Sequence, residues 1–164
     1  MSGDASRLCV DTNILIYATN SASVWHTLAT TRLQALRHQG AVLVLSQQIV
    51  REYMAVAARM RDIAGGLTTA EILENIGVFR TEFMVLDDTP GVLDQLVTLL
   101  RSIPVADRRV HDANIVATML VHGVRRLLTH NIGDFARYAH LITVLPLVLP
   151  APIPSDVAEI TPDG

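Results

Sequence analysis

Lysine is missing altogether: all 13 basic residues are Arg. That removes Schiff-base catalysis and the lysine of a phosphate-binding P-loop. The one cysteine, Cys9, permits neither an internal disulfide nor a cysteine-built zinc site. Aromatic residues amount to three Phe, three Tyr and one Trp, so aliphatic and Ala side chains must build the core. No apolar run reaches the roughly 18 residues of a membrane helix. The longest candidate, Leu141 to Pro150, is short and broken by prolines. The opening Met1-Ser2-Gly3-Asp4 has neither the positive start nor the apolar centre of a signal peptide. A cytoplasmic protein is therefore expected. A net charge of −3 speaks against a general nucleic-acid coat, which needs many phosphate-neutralising contacts. It leaves room for a nucleic-acid enzyme with a local Arg patch and a bound metal.

What is present is an alternation of short aliphatic runs and helical periods. Leu8-Cys9-Val10 reads as a buried strand ending at Asp11, with Thr12 or Asn13 capping the helix that follows. Val24 to Gln39 places Trp25, Leu28, Leu33 and Leu36 at helical spacing, and Gly40 supplies the stop. Ala41 to Leu45 is a second strand closed by Ser46. Gln47 to Asp62 is helical, with Ile49, Tyr53, Val56 and Met60 on one stripe. Gly65-Gly66 breaks it, and Thr68 or Thr69 caps a helix to about Phe79. Met84-Val85-Leu86 is a third strand, followed by a helix starting near Thr89-Pro90 and running to Ser102. Ile103-Pro104-Val105 links to a helix capped by Asp107 and ending at His122. Arg126 to Thr129, a short helix over Asp134 to Tyr138 and a strand over Leu141 to Leu145 complete the pattern. Strands alternating with such helices predict an α/β domain with a central parallel sheet of about five strands. One domain is expected over residues 1–147, with 148–164 as a proline-rich tail.

Four carboxylates do not fit a solvated surface. Asp11 stands at the end of the first strand. Glu52 lies within about 60° of the centre of its helix's apolar stripe. Asp112 projects into the arc of Ile115, Val116 and Met119. Asp134 follows the fourth strand. At the same edge of one sheet, carboxylates about 4 Å apart would repel by roughly 4 kcal/mol at an effective dielectric near 20. Either their pKa values rise or a divalent ion fills the cluster. All-oxygen ligation suits Mg²⁺ or Mn²⁺, the equipment for hydrolysing a phosphodiester.

The opening Asp11-Thr12-Asn13-Ile14-Leu15-Ile16-Tyr17-Ala18 resembles the first motif of PIN-domain nucleases. Glu52 after the second strand, Asp112 in His-Asp-Ala-Asn, and Thr129-His130-Asn131 through Asp134-Phe135 fall in that family's order. The likeness spans about residues 7–145 and, by size, is nearest to VapC-type toxins of bacterial toxin–antitoxin pairs. It implies a three-layer α/β/α PIN-like fold and a metal-dependent endoribonuclease, usually a homodimer, held inactive by a VapB-type antitoxin. Residue by residue it makes Asp11, Glu52, Asp112 and Asp134 the catalytic, metal-binding quartet for Mg²⁺ or Mn²⁺. Asn13, Thr129 and Asn131 become supporting polar groups. Arg51, Arg108 and Arg109 are the candidate RNA phosphate contacts. His111 and His130 flank the site, but the mechanism requires neither. Trp25 and Tyr53 read as core or interface before they read as base platforms.

Other acid-led folds fit less well. A haloacid-dehalogenase-like phosphatase needs a second Asp where Asn13 stands, and a lysine. A response-regulator receiver fails for the same lysine. Gly65-Gly66, Gly77 and Gly91 lack dinucleotide-fingerprint spacing. A PIN-like module that binds RNA or protein without cleaving, and a housekeeping RNA-processing nuclease, stay open as alternatives.

Overall fold

The computed structural model describes residues 6–61, 66–103 and 109–149. Expectations resting on Met1–Asp4, Asp62, Gly65, Pro104–Val105, Asp107, Arg108 and the tail beyond residue 149 lie outside them. The chain runs β1 (Arg7–Val10), α1 (Thr12–Thr19), α2 (His26–His38), β2 (Val42–Ser46), α3 (Gln47–Met60) and α4 (Thr69–Glu82). It continues through β3 (Met84–Leu86), α5 (Pro90–Ser102), α6 (Arg109–Val121), β4 (Arg126–Thr129), α7 (Ile132–Phe135) and β5 (Thr143–Pro146). A 3₁₀ turn at Ala136–Tyr138 separates the last two.

The five strands form one all-parallel sheet in the order β3-β2-β1-β4-β5, the centre of a three-layer α/β/α fold. β1 is the middle strand, and Leu8, Cys9 and Val10 are fully buried, as a strand covered on both faces must be. Burial pushes the Cys9 thiol far above its ordinary range, which leaves it a small inert core residue. From β1 the chain builds outward to β2 and β3, then returns to the other side for β4 and β5. The order therefore reverses between β1 and β4, and the crevice at their carboxyl ends is where such sheets bind ligands.

Local signals hold the elements in place. Ser46 ends β2 and caps α3 at once, its hydroxyl accepting the Ile49 N–H at 3.2 Å, so no loop intervenes before Glu52. Gly40, at φ 84°, closes α2, with the Ala41 N–H bonded to the Leu36 carbonyl at 3.0 Å. Thr68 and Glu71 form a reciprocal capping box on α4.

The structure departs from the sequence reading in several places, among them the short helix expected over Asp134 to Tyr138, which is an α-helical turn at Ile132–Phe135 followed by a 3₁₀ turn. α2 begins at His26 rather than Val24, which is 89% exposed, and its buried stripe is Ala29, Leu33 and Leu36, with Leu28 turned outward. α3 buries Ile49, Tyr53 and Ala57, while Val56 and Met60 are only partly covered. β5 starts at Thr143, because pairing with β4 sets its register: Thr143 lies opposite Arg126. Leu141 and Ile142 are spent on a turn, both N–H groups reaching the Tyr138 carbonyl. Pro146 ends this edge strand, where a missing N–H costs no ladder bond. Among the described residues no helix is long and apolar enough to cross a membrane.

Candidate active site

Asp11 follows β1 directly and is itself the N-cap of α1, a position the sequence reading gave to Thr12 or Asn13. Its Oδ1 accepts the Thr12 N–H at 2.7 Å. Its Oδ2 accepts from the Thr129 hydroxyl at 2.6 Å and the Asn13 amide at 2.8 Å. The last donors come from β4 and α1, so the carboxylate bridges the crevice where the strand order reverses. Three bonds occupy three of about four lone pairs, leaving one for another partner. At 7% exposure, desolvation outweighs these donors and holds the carboxyl at about 6, with the nearby Glu52 charge adding to the rise.

Asn13 and Thr129 therefore act as a clamp on Asp11. The Asn13 amide also reaches the Thr129 hydroxyl at 3.2 Å, and its carbonyl oxygen accepts the His130 N–H at 3.1 Å. Asn131 joins through its backbone, donating to the Thr129 hydroxyl at 3.0 Å, and its residue lines the pocket.

Glu52 sits on the second turn of α3, half-buried. The Thr12 hydroxyl donates to its Oε2 at 3.0 Å and the Gln48 amide to its Oε1 at 2.8 Å. Neither supporting residue was singled out from the sequence. Thr12 was legible only as a cap, and Gln48, one turn before Glu52 on the same face, was a readable signal left unused.

Asp112 enters from the first turn of α6, partly buried beside the fully buried Ile115, Val116 and Met119. Its carboxyl is pushed up to about 7 by desolvation first, then by the charges of Asp134, Asp11 and Glu52, with Arg137 opposing. Asp134 lies exposed on α7. All four acids line one pocket of about 320 Å³, with Asn13 and Asn131 among their neighbours. Carboxylates from the β1–α1 junction, α3, α6 and α7 thus line one pocket at the carboxyl ends of the strands.

The donor set fits a hard divalent cation. Every available group is oxygen, and two carboxyls are raised toward neutral pH by burial first and then by the charges of neighbouring acids. Among the described residues no three His, Cys, Asp or Glu side chains are already gathered into a metal-binding group. Mg²⁺ commonly takes one or two carboxylates directly and completes its shell with waters and substrate phosphates.

The remaining candidates fall elsewhere. Arg51, one residue before Glu52, is turned about 100° around the helix and pairs with Asp88 at 3.1 Å. Arg109 starts α6 exposed and does not line the acidic pocket. The basic residue that acts on Asp112 is instead Arg137. His130 packs against Trp25 and Tyr17 with centroids 4.7 and 5.6 Å away, a structural role. Tyr53 is fully buried, its hydroxyl bonded to Thr19 and Asn75, hence core.

Thr129→Val tests the clamp. An isosteric methyl removes the 2.6 Å bond to Asp11 and orphans the Asn131 N–H. A loss of about 1–3 kcal/mol in urea unfolding is expected. Activity at the site should fall by roughly 10- to 100-fold. Unchanged unfolding and unchanged activity would show that the clamp is incidental.

The family model described as PIN domain matches residues 8–141. Ribonuclease VapC24 of Mycobacterium tuberculosis is 28% identical over 133 residues, covering 80% of this chain and 90% of that protein. The fold is similar to that of the Mycobacterium tuberculosis VapC20, described as a sarcin-ricin-loop-cleaving toxin: TM-score 0.64, 21% identity, 85% of this chain and 99% of that one. It is also similar to a chain of a toxin–antitoxin complex from Klebsiella pneumoniae, with TM-score 0.59, 22% identity, 86% of this chain and 98% of that one. The match over most of the chain, on a parallel sheet whose switch point gathers Asp11, Glu52, Asp112 and Asp134, places the protein in the PIN-domain family.

Proposed function

We propose that this chain is a Mg²⁺- or Mn²⁺-dependent endoribonuclease, the toxin of a type II toxin–antitoxin pair. The observation that carries the reading is the convergence of four acids from distant positions on one pocket, two of them with raised pKa values. An unused cluster of this kind would only cost stability, which disfavours the non-catalytic alternative. The VapC relatives and the toxin–antitoxin neighbour support the toxin assignment over housekeeping RNA processing. A VapB-type antitoxin, a homodimeric state and a cytoplasmic location belong to the same proposal.

Asp11, Glu52, Asp112 and Asp134 would hold the ion. When bound, it supplies Lewis-acid stabilisation of phosphate charge and a water of lowered pKa. The chain's own contribution is orientation. Thr129 and Asn13 fix the Asp11 oxygens, and Thr12 with Gln48 fixes those of Glu52. A carboxylate oxygen of the cluster accepts a hydrogen bond from the attacking water and takes its proton as the water oxygen closes on phosphorus. The bond to the 3′-oxygen breaks, and that oxygen takes a proton from solvent to become the 3′-hydroxyl, opposite a new 5′-phosphate. Because water rather than the ribose 2′-hydroxyl attacks, no 2′,3′-cyclic phosphate forms.

The test is incubation of the purified protein with total RNA in Mg²⁺, Mn²⁺ or EDTA, followed by mapping of the product ends. Cleavage should require the divalent ion and leave 5′-phosphates. Cleavage insensitive to EDTA, or cyclic-phosphate ends, would overturn the mechanism.

A further inference from the structure

A second basin of about 410 Å³ opens beside the first and shares Glu52, Asp112 and Asp134 with it. Its other wall is different in kind: it carries Arg59 of α3 and His111 of α6. We infer that this basin seats an RNA phosphate next to the scissile one, taken by Arg59 and His111, with Gln48 as the residue that positions His111. The inference rests on the ribonuclease reading and adds a substrate subsite to it.

Arg59 is seven residues after Glu52, two turns along the same face of α3, so the helix brings both to one basin. Arg37 and Arg51 form salt bridges, whereas Arg59 forms none among the described residues. A guanidinium sharing a basin with three carboxylates yet pairing with none of them is available to an anion from outside. Its planar fork suits a phosphate.

His111 is exposed, and its Nδ1 lies 3.2 Å from the Gln48 Nε2. That same Nε2 donates to the Glu52 Oε1 at 2.8 Å. A carboxylate only accepts, so the nitrogen side of the Gln48 amide must face Glu52, which settles its orientation. The second amide hydrogen then points to His111, whose Nδ1 must accept. The proton of the neutral ring is thereby placed on Nε2, at the opposite edge. That N–H has no hydrogen-bond partner among the described residues, and His111 lines the basin. Glu52, Gln48 and His111 thus form one hydrogen-bonded line from the acidic pocket to the second basin, crossing from α3 to α6.

Charge explains why the subsite is needed. The acidic wall repels every phosphate not held by a cation. A strand lying across the site therefore needs its own partners for the flanking backbone. Arg59 supplies the charge, and His111 supplies a fixed direction.

The experiment uses the full chain carrying Asp112→Asn, to prevent cleavage, and a short fluorescein-labelled single-stranded RNA of random sequence. Anisotropy is followed over a range of salt. Adding Arg59→Ala should weaken binding about 10-fold at low salt. It should also flatten the slope of log affinity against log salt by about 0.7, the signature of one lost phosphate contact. His111→Ala and Gln48→Met should each weaken binding about 3- to 10-fold, and Gln48→Met, which removes no charge, should leave the slope unchanged. Their double variant should bind no more weakly than the worse single, because Gln48 acts through His111. A slope unchanged by Arg59→Ala, or a Gln48→Met protein that binds like its parent, would overturn the inference. Failure of the wild type to cleave total RNA in Mg²⁺ would instead remove the functional reading beneath it.

Discussion

Asp112→Asn is expected to abolish RNA cleavage and at the same time to make the metal-free protein more stable. Removing one charge-stabilising group from a preorganised site costs about 10²–10³ in rate, and this residue is proposed also to hold the ion. The stability gain has a separate cause. Asp112 is held at about 7 because burial and three neighbouring acids oppose its charge. A neutral amide of the same shape escapes that penalty. A tenfold change in an acid's ionisation constant corresponds to about 1.4 kcal/mol, and partial solvation discounts the total. A gain of roughly 1–3 kcal/mol is expected in urea unfolding at about pH 8 in EDTA. Retained cleavage would remove Asp112 from the site. A destabilised, correctly folded variant would show that its carboxylate serves the fold rather than function.

Metal-free stability should fall as pH rises from about 4 to about 8, the reverse of ordinary acid denaturation. The ordinary value for both carboxyls is 3.8, while Asp11 and Asp112 stand at about 6 and about 7 in the folded chain. Below the unfolded value both states hold the protons. Between the two values the unfolded chain has released protons that the folded chain retains. The stabilisation is thus fully present below the unfolded value and is lost as pH passes through 6 and then 7. The two groups together should change stability by a few kcal/mol, less than the sum of their separate shifts because Asp112 is partly solvated. Mg²⁺ should restore it at about pH 8, where the ligands are ionised, and do almost nothing at about pH 5. Thermal unfolding across pH, with and without Mg²⁺, reads both effects. A stability that rises through this window in EDTA would contradict the assigned burial of the two acids.

Much of the site was legible because it obeys chain periodicity. Asp112 shares an arc with Ile115, Val116 and Met119, and the structure buries all three apolar partners around it. Ser46 ends an aliphatic run, and it ends β2 in the fold. The resemblance to PIN-domain nucleases, rather than periodicity, put Asn13 and Thr129 with Asp11 across 118 residues of separation, and a 2.6 Å bond joins Asp11 to Thr129. What escaped depends on how one helix faces another. Thr12 looks like a cap, but Asp11 takes that place and frees the Thr12 hydroxyl for Glu52 on α3. Arg51 is adjacent to Glu52 in sequence and Arg59 is not, yet helix geometry sends Arg59 to the basin and Arg51 to Asp88. The last strand shifted because a continuous apolar run, Leu141 to Leu145, carries no register of its own. β4 supplies it.

The central question is whether the acidic pocket takes up a dication in exchange for protons. Titration calorimetry of Mn²⁺ into the wild-type protein, at about pH 6.5 in buffers of different ionisation enthalpy, measures both uptake and protons released. Binding should occur with roughly one proton released per ion, falling toward zero at about pH 8.5, where Asp11 and Asp112 are already ionised. Asp112→Asn should bind far more weakly. Wild-type protein that takes up no Mn²⁺, or takes it up with no proton release at the lower pH, would contradict the central claim.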